Sequence, residues 1–262
     1  MKTLLDSGRE GLSLAGFEII DMHAHLGPFA YSIPDLSSAS LVQVMDRIGV
    51  TRMVCSHVSC MAGDAAQGNR EVLAAMRAFP GRIMGYVVLP PDSARAVQEE
   101  AERCLAEGFA GFKVHNANGI PYRHAAYEPA YKLADERRLP VLLHTWGEPA
   151  VLQEVSELAA RYPGATFLVA HAGSANESAY VALVRERPNV GLDLAFSQSP
   201  RGLVKRFVDA VGAGRVVWGS DVYCFSQTQQ IGKVLGADIA EEDKRRILSG
   251  NARRILAGAG LE

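Results

Sequence analysis

The chain of 262 residues lacks most of the signals that assign a ligand at a glance. Its cysteines, Cys55, Cys60, Cys104 and Cys224, form no CxxC pair. Free thiols in a reducing cytoplasm are therefore expected, and nothing obliges Cys55 and Cys60 to join. No GxGxxG turn follows the first apolar segment and no GxxxxGKS or GxxxxGKT occurs, so dinucleotide and P-loop readings lose their usual support. No apolar run is long enough for a bilayer, and MKTLLDSGREGLSLAG is interrupted by Asp6, Arg9 and Glu10, which speaks against a signal-peptide core. Net charge is also missing, at −2, and the arginine pairs 137–138, 245–246 and 253–254 are scattered over separate segments. Neither nucleic acid nor a membrane surface is expected as a partner. A small-molecule substrate is, with a homodimer as the most common assembly on general grounds.

What is present is a folded-protein composition, 48% hydrophobic and 21% charged, with a regular alternation of short apolar runs and helix-period segments. FEII (17–20) reads as a strand and SASLVQVMDRIG (38–49) as a helix begun by a Ser cap and stopped by Gly. RMVCS (52–56), a helix near 69–79, IMGYVVL (83–89), and a helix over 92–107 with Asp92 as N-cap continue the rhythm. GFKV (111–114), 127–138, PVLLH (140–144), 149–162, TFLVAH (166–171), 177–187, VGLDL (190–194), 202–212 and VVWGS (216–220) follow, with helical segments at 227–235, 241–249 and 251–257. Strands such as LLH and FLVA are apolar at every position, as parallel strands covered on both faces are. Eight βα units in this length predict an α/β fold, a single distorted TIM (β/α)8 barrel over 1–262, with an open doubly wound sheet as the competitor.

The seven histidines then stand out by place. His23, His25, His57, His115, His144 and His171 fall at or just past strand C-termini, and His124 lies in the loop after the fourth strand. In a barrel those ends share the face that carries the active site. Residues i and i+2 of a strand point the same way, so His23 and His25 are expected to share one ion, although a merely polar strand end is the alternative. Asp21 is expected on the same inward side, as a partner for a ligand imidazole. Asp221, after the eighth strand, is a carboxylate able both to hold a metal and to take a proton from its water. Lys113 and His115 share one parity, and an inward lysine needs a partner.

IIDMHAH, GFKVH, LPVLLHTWG, VAHAGS, WGSD and ILSGNARRIL, in that order, resemble the amidohydrolase superfamily, and within it the amidohydrolase-related branch that includes aminocarboxymuconate-semialdehyde decarboxylase and small lactone hydrolases. The resemblance implies one divalent metal, zinc above others, held by His23, His25, His144 and Asp221. It places His171 beside the metal as a catalytic or second-metal group. It also implies that two metals would be bridged by a carboxylated Lys113. The activity expected is hydrolysis of a small carboxylate-bearing lactone, ester or amide, with Asp221 as proton acceptor and with His171, Lys113 or His115 steadying negative charge. A non-oxidative decarboxylase of a muconate-like or aromatic acid is the enzymatic alternative. Compact loops favour hydrolysis over it, because decarboxylating relatives are expected to carry inserted ones. A barrel that binds a metal or ligand without turnover is the remaining reading.

Loop residues expected to meet substrate are Phe29 and Tyr31 in GPFAYSIPDLS, Trp146 just past His144, Tyr223 and Phe225 past Asp221, and Arg201 after the seventh strand. Arg123 and His124 are expected to be solvated. Asn251 in GNARRIL is read as a helix cap.

Overall fold

The computed structural model describes residues 3–14, 16–28, 30, 32–61, 63–196 and 199–261. Phe29 and Tyr31 lie outside them. The elements run α1 (Leu4–Arg9), β1 (Ile20–Leu26), α2 (Ser38–Ile48), β2 (Arg52–His57), α3 (Ala65–Ala78), β3 (Ile83–Val88), α4 (Ala94–Ala106), β4 (Gly111–Val114), α5 (Glu128–Arg137) and β5 (Pro140–Leu143). Then come α6 (Pro149–Arg161), β6 (Thr166–Val169), α7 (Glu177–Glu186), β7 (Val190–Asp193), α8 (Leu203–Val211), β8 (Val216–Val217), α9 (Gln227–Leu235), α10 (Glu241–Arg245) and α11 (Asn251–Gly258).

All eight strands are parallel and paired in chain order. The Met22 amide donates to the Trp218 carbonyl at 3.0 Å, and a lone bridge joins Ala24 to Val222, so the barrel is nearly closed. Alternation sorts the side chains into two layers. Met53, Cys55, Val87, Phe112, Val114, Val141, Leu143, Phe167 and Val169 face the helices. Ile20, Met22, Val54, Tyr86, Leu142, Leu168 and Val217 fill the interior, where Ala252, Ile255 and Leu256 of α11 close the end at which the strands begin.

Three expectations are corrected at the local level, and one helix is added. β1 is Ile20–Leu26 rather than 17–20, so the HxH pair lies within the strand. The N-cap of α4 is Ser93, whose side chain accepts from the Ala96 amide, and not Asp92. α1, capped by Thr3, was not anticipated, because six residues carry too little periodicity to register. The Asn251 side chain does not cap α11: its amide donates to the carbonyls of Ala213 and Val216, both at 2.7 Å, and pins α11 to the strand-start end of β8. All four cysteines are free, and among the described residues no helix is long and apolar enough to cross a membrane.

Candidate active site

The site begins with an irregularity in β1. Asp21 pairs with Met53 but Ala24 with Cys55, three steps on one strand against two on the other. Such a bulge inserts one residue and reverses which face the following side chains occupy. Ile20 and Met22 point into the barrel before it, Ala24 points to the helices after it, and His25 faces Ser56 across the ladder. The same bulge removes Asp21 from the inward side. Its carboxylate accepts the His23 and Ser220 amides at 3.1 and 2.9 Å, the Ser220 hydroxyl at 2.5 Å and the Gln227 amide at 2.9 Å. Asp21 therefore clamps the segment after β8 onto β1 and touches no imidazole, contrary to the sequence expectation. The His23 carbonyl completes the clamp by accepting the Ser220 and Asp221 amides at 3.1 and 2.6 Å. Asp221 is thereby delivered beside the HxH pair.

The imidazoles are oriented from behind. His23 Nδ1 donates to Asp193 at 2.7 Å, His25 Nδ1 meets the Ser56 hydroxyl at 3.1 Å, and His171 Nδ1 donates to the Ala195 carbonyl. These contacts turn the Nε2 atoms toward one another and toward Asp221. His25 Nε2 is 3.1 Å and His23 Nε2 3.5 Å from Asp221 Oδ1, while His171 Nε2 is 3.9 Å from Oδ2. Lys113 Nζ lies 3.0 Å from His23 Nε2. His144 comes in through His171, its Nδ1 3.2 Å from His171 Nε2, and stacks on His115 with centroids 3.7 Å apart. His23, His171 and Asp221 bring one donor atom each within 4.8 Å of the others, a group that could hold a metal ion.

Charge follows from burial. Burial first, then the nearby Lys113 ammonium, hold His23 far below the ordinary imidazole range, and the same two influences push His115 down to about 2. Burial also lowers His144, His171 and Lys113. Burial pushes the Asp221 carboxyl up, but His23 and His25 outweigh it and keep the group well below the usual carboxylate range. The result is an ionised carboxylate beside the neutral imidazoles of His23 and His171. Because His23 and His171 give their Nδ1 protons to oxygen acceptors, their inward Nε2 atoms carry lone pairs, which Lys113 Nζ and His144 Nδ1 meet. Imidazole lone pairs and an ionised carboxylate converging in a dry space, with the Lys113 ammonium beside them, form a donor set that fits a divalent metal.

Two of these residues hold unusual backbone, with φ of 58° at His171 and 56° at Asp221. Each costs about 1–3 kcal/mol and persists only where the surroundings over-determine it, as they commonly do at functional sites. Gly219 in WGSD is required by space. A Cβ there would stand 2.3 Å from Asp193 Oδ1 and 2.5 Å from His23 Cβ, blocking the carboxylate that orients His23.

The mouth is aromatic. Trp146, 38% exposed, stacks on His171 with centroids 4.6 Å apart and packs edge-on against His144 and Phe196. Phe225 meets Phe196 at 6.3 Å. His115 keeps Nδ1 for the Ala117 amide, leaving its Nε2 proton as a donor. Tyr223 is engaged elsewhere, its hydroxyl donating to the Ser37 carbonyl at 3.0 Å. Arg201 is set apart, exposed on a cavity of about 360 Å³ between the start of α8 and α9. Arg123 faces Glu154 and Glu157 on the surface. Asp193, Ser56, the Ala195 carbonyl and Phe196 were not anticipated. The one trace they left was the carboxylate in VGLDL.

The amidohydrolase family model matches residues 20–257, and the chain belongs to that family. It is an amidohydrolase-superfamily enzyme. Among solved structures it is similar to an uncharacterised TIM-barrel protein of Bordetella bronchiseptica, with 17% identity and a TM-score of 0.75 over 93% of this chain and 100% of that one. It also resembles 5-carboxyvanillate decarboxylase of Novosphingobium aromaticivorans, complexed with manganese and 4-hydroxy-3-methoxy-5-nitrobenzoic acid (15% identity, TM-score 0.73, 93% of this chain and 97% of that one). A third likeness is to a probable 2-pyrone-4,6-dicarboxylic acid hydrolase of Acinetobacter baumannii with citric acid bound (15% identity, TM-score 0.70, 91% of this chain and 99% of that one). At these identities the likeness is one of fold. No curated protein matches the sequence.

Proposed function

We propose that this protein is a metal-dependent hydrolase acting at the carbonyl of a small carboxylate-bearing lactone, ester or amide. The observation that carries the reading is the convergence of the His23, His25 and His171 Nε2 atoms on the ionised Asp221, each ring held from behind. His23, His25, His144 and Asp221 are proposed to hold one divalent metal, with His171 and Lys113 beside it. A second ion is the consequence if Lys113 is carboxylated. Zinc suits imidazole and carboxylate ligands, and manganese is bound in the Novosphingobium decarboxylase. A divalent metal in this shell supplies a Lewis acid that polarises a carbonyl and acidifies water.

The chain's own groups do the rest. Asp221 accepts the proton of the attacking water and returns it to the leaving oxygen or nitrogen. Lys113 Nζ and the His115 Nε2 proton are donors for the substrate carboxylate or for the carbonyl oxygen as charge builds on it. Trp146, Phe196 and Phe225 form an apolar wall for the body of the substrate.

That wall also favours the second reading, non-oxidative decarboxylation of an aromatic or muconate-like acid, as does the decarboxylase among the neighbours. One experiment separates the two. Protein loaded with zinc or with manganese is offered lactones, esters and amides with acid release recorded, then aromatic and muconate acids with carbon dioxide recorded. Acid release is the expected result. Carbon dioxide with no acid from any ester-like substrate overturns the hydrolase reading in favour of the other.

A further inference from the structure

The His171 imidazole owes its orientation to a backbone carbonyl, and that carbonyl is aimed from outside the site. Around Ala195 the chain alternates. The Ala195 carbonyl faces His171, while the carbonyls of Leu194 and Phe196, one residue to either side, face α9. Both accept from one group, the Lys233 ammonium, which donates to Leu194 O, to Phe196 O at 2.6 Å and to Ser199 Oγ at 3.3 Å. Three protons meet three oxygens. One turn earlier on α9, Gln230 Oε1 accepts the Phe196 amide at 3.1 Å. No other described contact from α9 reaches this segment with charge, and Lys233 touches none of the candidate metal ligands.

We propose that Lys233 is a positioning residue, whose grip on the Leu194 and Phe196 carbonyls presents the Ala195 carbonyl to His171 Nδ1 and the Phe196 ring to Trp146. This inference rests on the proposed site and takes His171 as a further ligand of its metal, since its donor atom lies within 4.8 Å of those of His23 and Asp221. A carbonyl can only accept, so it selects the His171 tautomer with the proton on Nδ1 and the lone pair on Nε2, facing Asp221. Groups of this kind behind a ligand imidazole are worth about 10–100-fold in metal affinity. The ammonium is responsive to pH, since desolvation lowers it to about 8, against the pull of Asp193 and Asp221. Arg201, Lys205 and Asp238 line the cavity beside it. Above that pH the neutral amine has two protons for three oxygens, and the grip loosens.

The test uses the full chain, with imidazole tautomers read from two-bond ¹⁵N–¹H correlations and Zn²⁺ affinity from competition with a chelating dye. Lys233→Met is expected to lose the uniform His171 tautomer and to weaken Zn²⁺ binding about 10–100-fold at unchanged far-UV circular dichroism, with Lys233→Arg restoring most of both. In the wild type the His171 signals are expected to shift with a midpoint near 8, a shift absent from Lys233→Arg. A folded Lys233→Met protein with the wild-type tautomer and affinity overturns the proposal. If that variant does not fold, the pH series decides: no shift of the wild-type His171 signals between pH 7 and 9.5 overturns it equally. His171→Ala separates this failure from that of the functional reading. Unchanged Zn²⁺ binding there removes His171 from the metal's ligands and with it this inference, leaving the functional reading standing, whereas weakened binding there with unaffected Lys233→Met rejects the positioning role alone.

Discussion

The two ends of the barrel are buried alike and built from opposite materials. At the strand starts Ala252, Ile255 and Leu256 are at most 5% exposed, and at the strand ends His23, Asp193 and Asp221 are at most 5% exposed as well. Burying aliphatic surface stabilises by roughly 25 cal/mol per Å². Burying imidazole and carboxylate costs desolvation that hydrogen bonds only offset. The floor and the helix layer therefore hold the fold together, while the rim spends part of that stability on Nε2 atoms aimed at a carboxylate and on two residues of positive φ. A change at the rim should reach function before stability, and a change at the floor the reverse.

The largest expected break is Asp221→Asn. Turnover of the metal-loaded protein should fall about 10³-fold while far-UV circular dichroism stays as it was, because the amide cannot take a proton. Turnover within tenfold of wild type would dissolve the contrast between the two ends. At the floor, Ile255→Ala should lower unfolding free energy in urea by about 2–5 kcal/mol with Zn²⁺ affinity unchanged; weakened metal binding there would mean that floor and rim are coupled. Asp193→Asn sits between them. It leaves His23 in place but exchanges the carboxylate for an amide whose NH₂ can face Nδ1 and favour the other tautomer, so Zn²⁺ affinity should drop about 10–100-fold, measured against a chelating dye.

The smallest effect concerns Glu18 at the floor, which accepts from Arg52, Ser249 and Arg253. Burial pushes its carboxyl up, and the arginine hydrogen bonds outweigh that, leaving it below the ordinary value. A carboxyl lowered in the folded state adds stability that is complete above its unfolded pKa, about 4.3, and disappears as pH falls through the folded one. Glu18→Gln should thus cost about 1 kcal/mol at pH 7, and its urea midpoint should approach that of the wild type below about pH 4. A constant gap across that range would point to packing rather than charge.

The strands were largely legible. β4, at Gly111–Val114, and α9, at Gln227–Leu235, occur where their apolar runs placed them, because a fully apolar run of four or a helix-period stretch of nine is a local pattern. The rim histidines were legible for the same reason, since strand ends can be read from strand runs. Asp21 shows the limit. Its parity depended on β1 running regularly from residue 20 to 26, and the bulge between Asp21 and Ala24 turned it from a partner of imidazole into a clamp on Ser220. Nothing in DMHAH marks an extra residue, which is defined only by the strand beside it.

By itself the sequence determined the parallel barrel, the rim on which six histidines gather and the family motif, all of which are carried by spacing along the chain. Tertiary structure decided which atom of each imidazole looks inward. His23 meets Asp193 across 170 residues of chain, and His171 Nδ1 meets the carbonyl of Ala195, whose neighbours Leu194 and Phe196 accept from a lysine on a later helix. Periodicity is a property of neighbours in sequence, whereas a hydrogen-bond partner is chosen only when the barrel closes and brings distant strand ends within 3 Å.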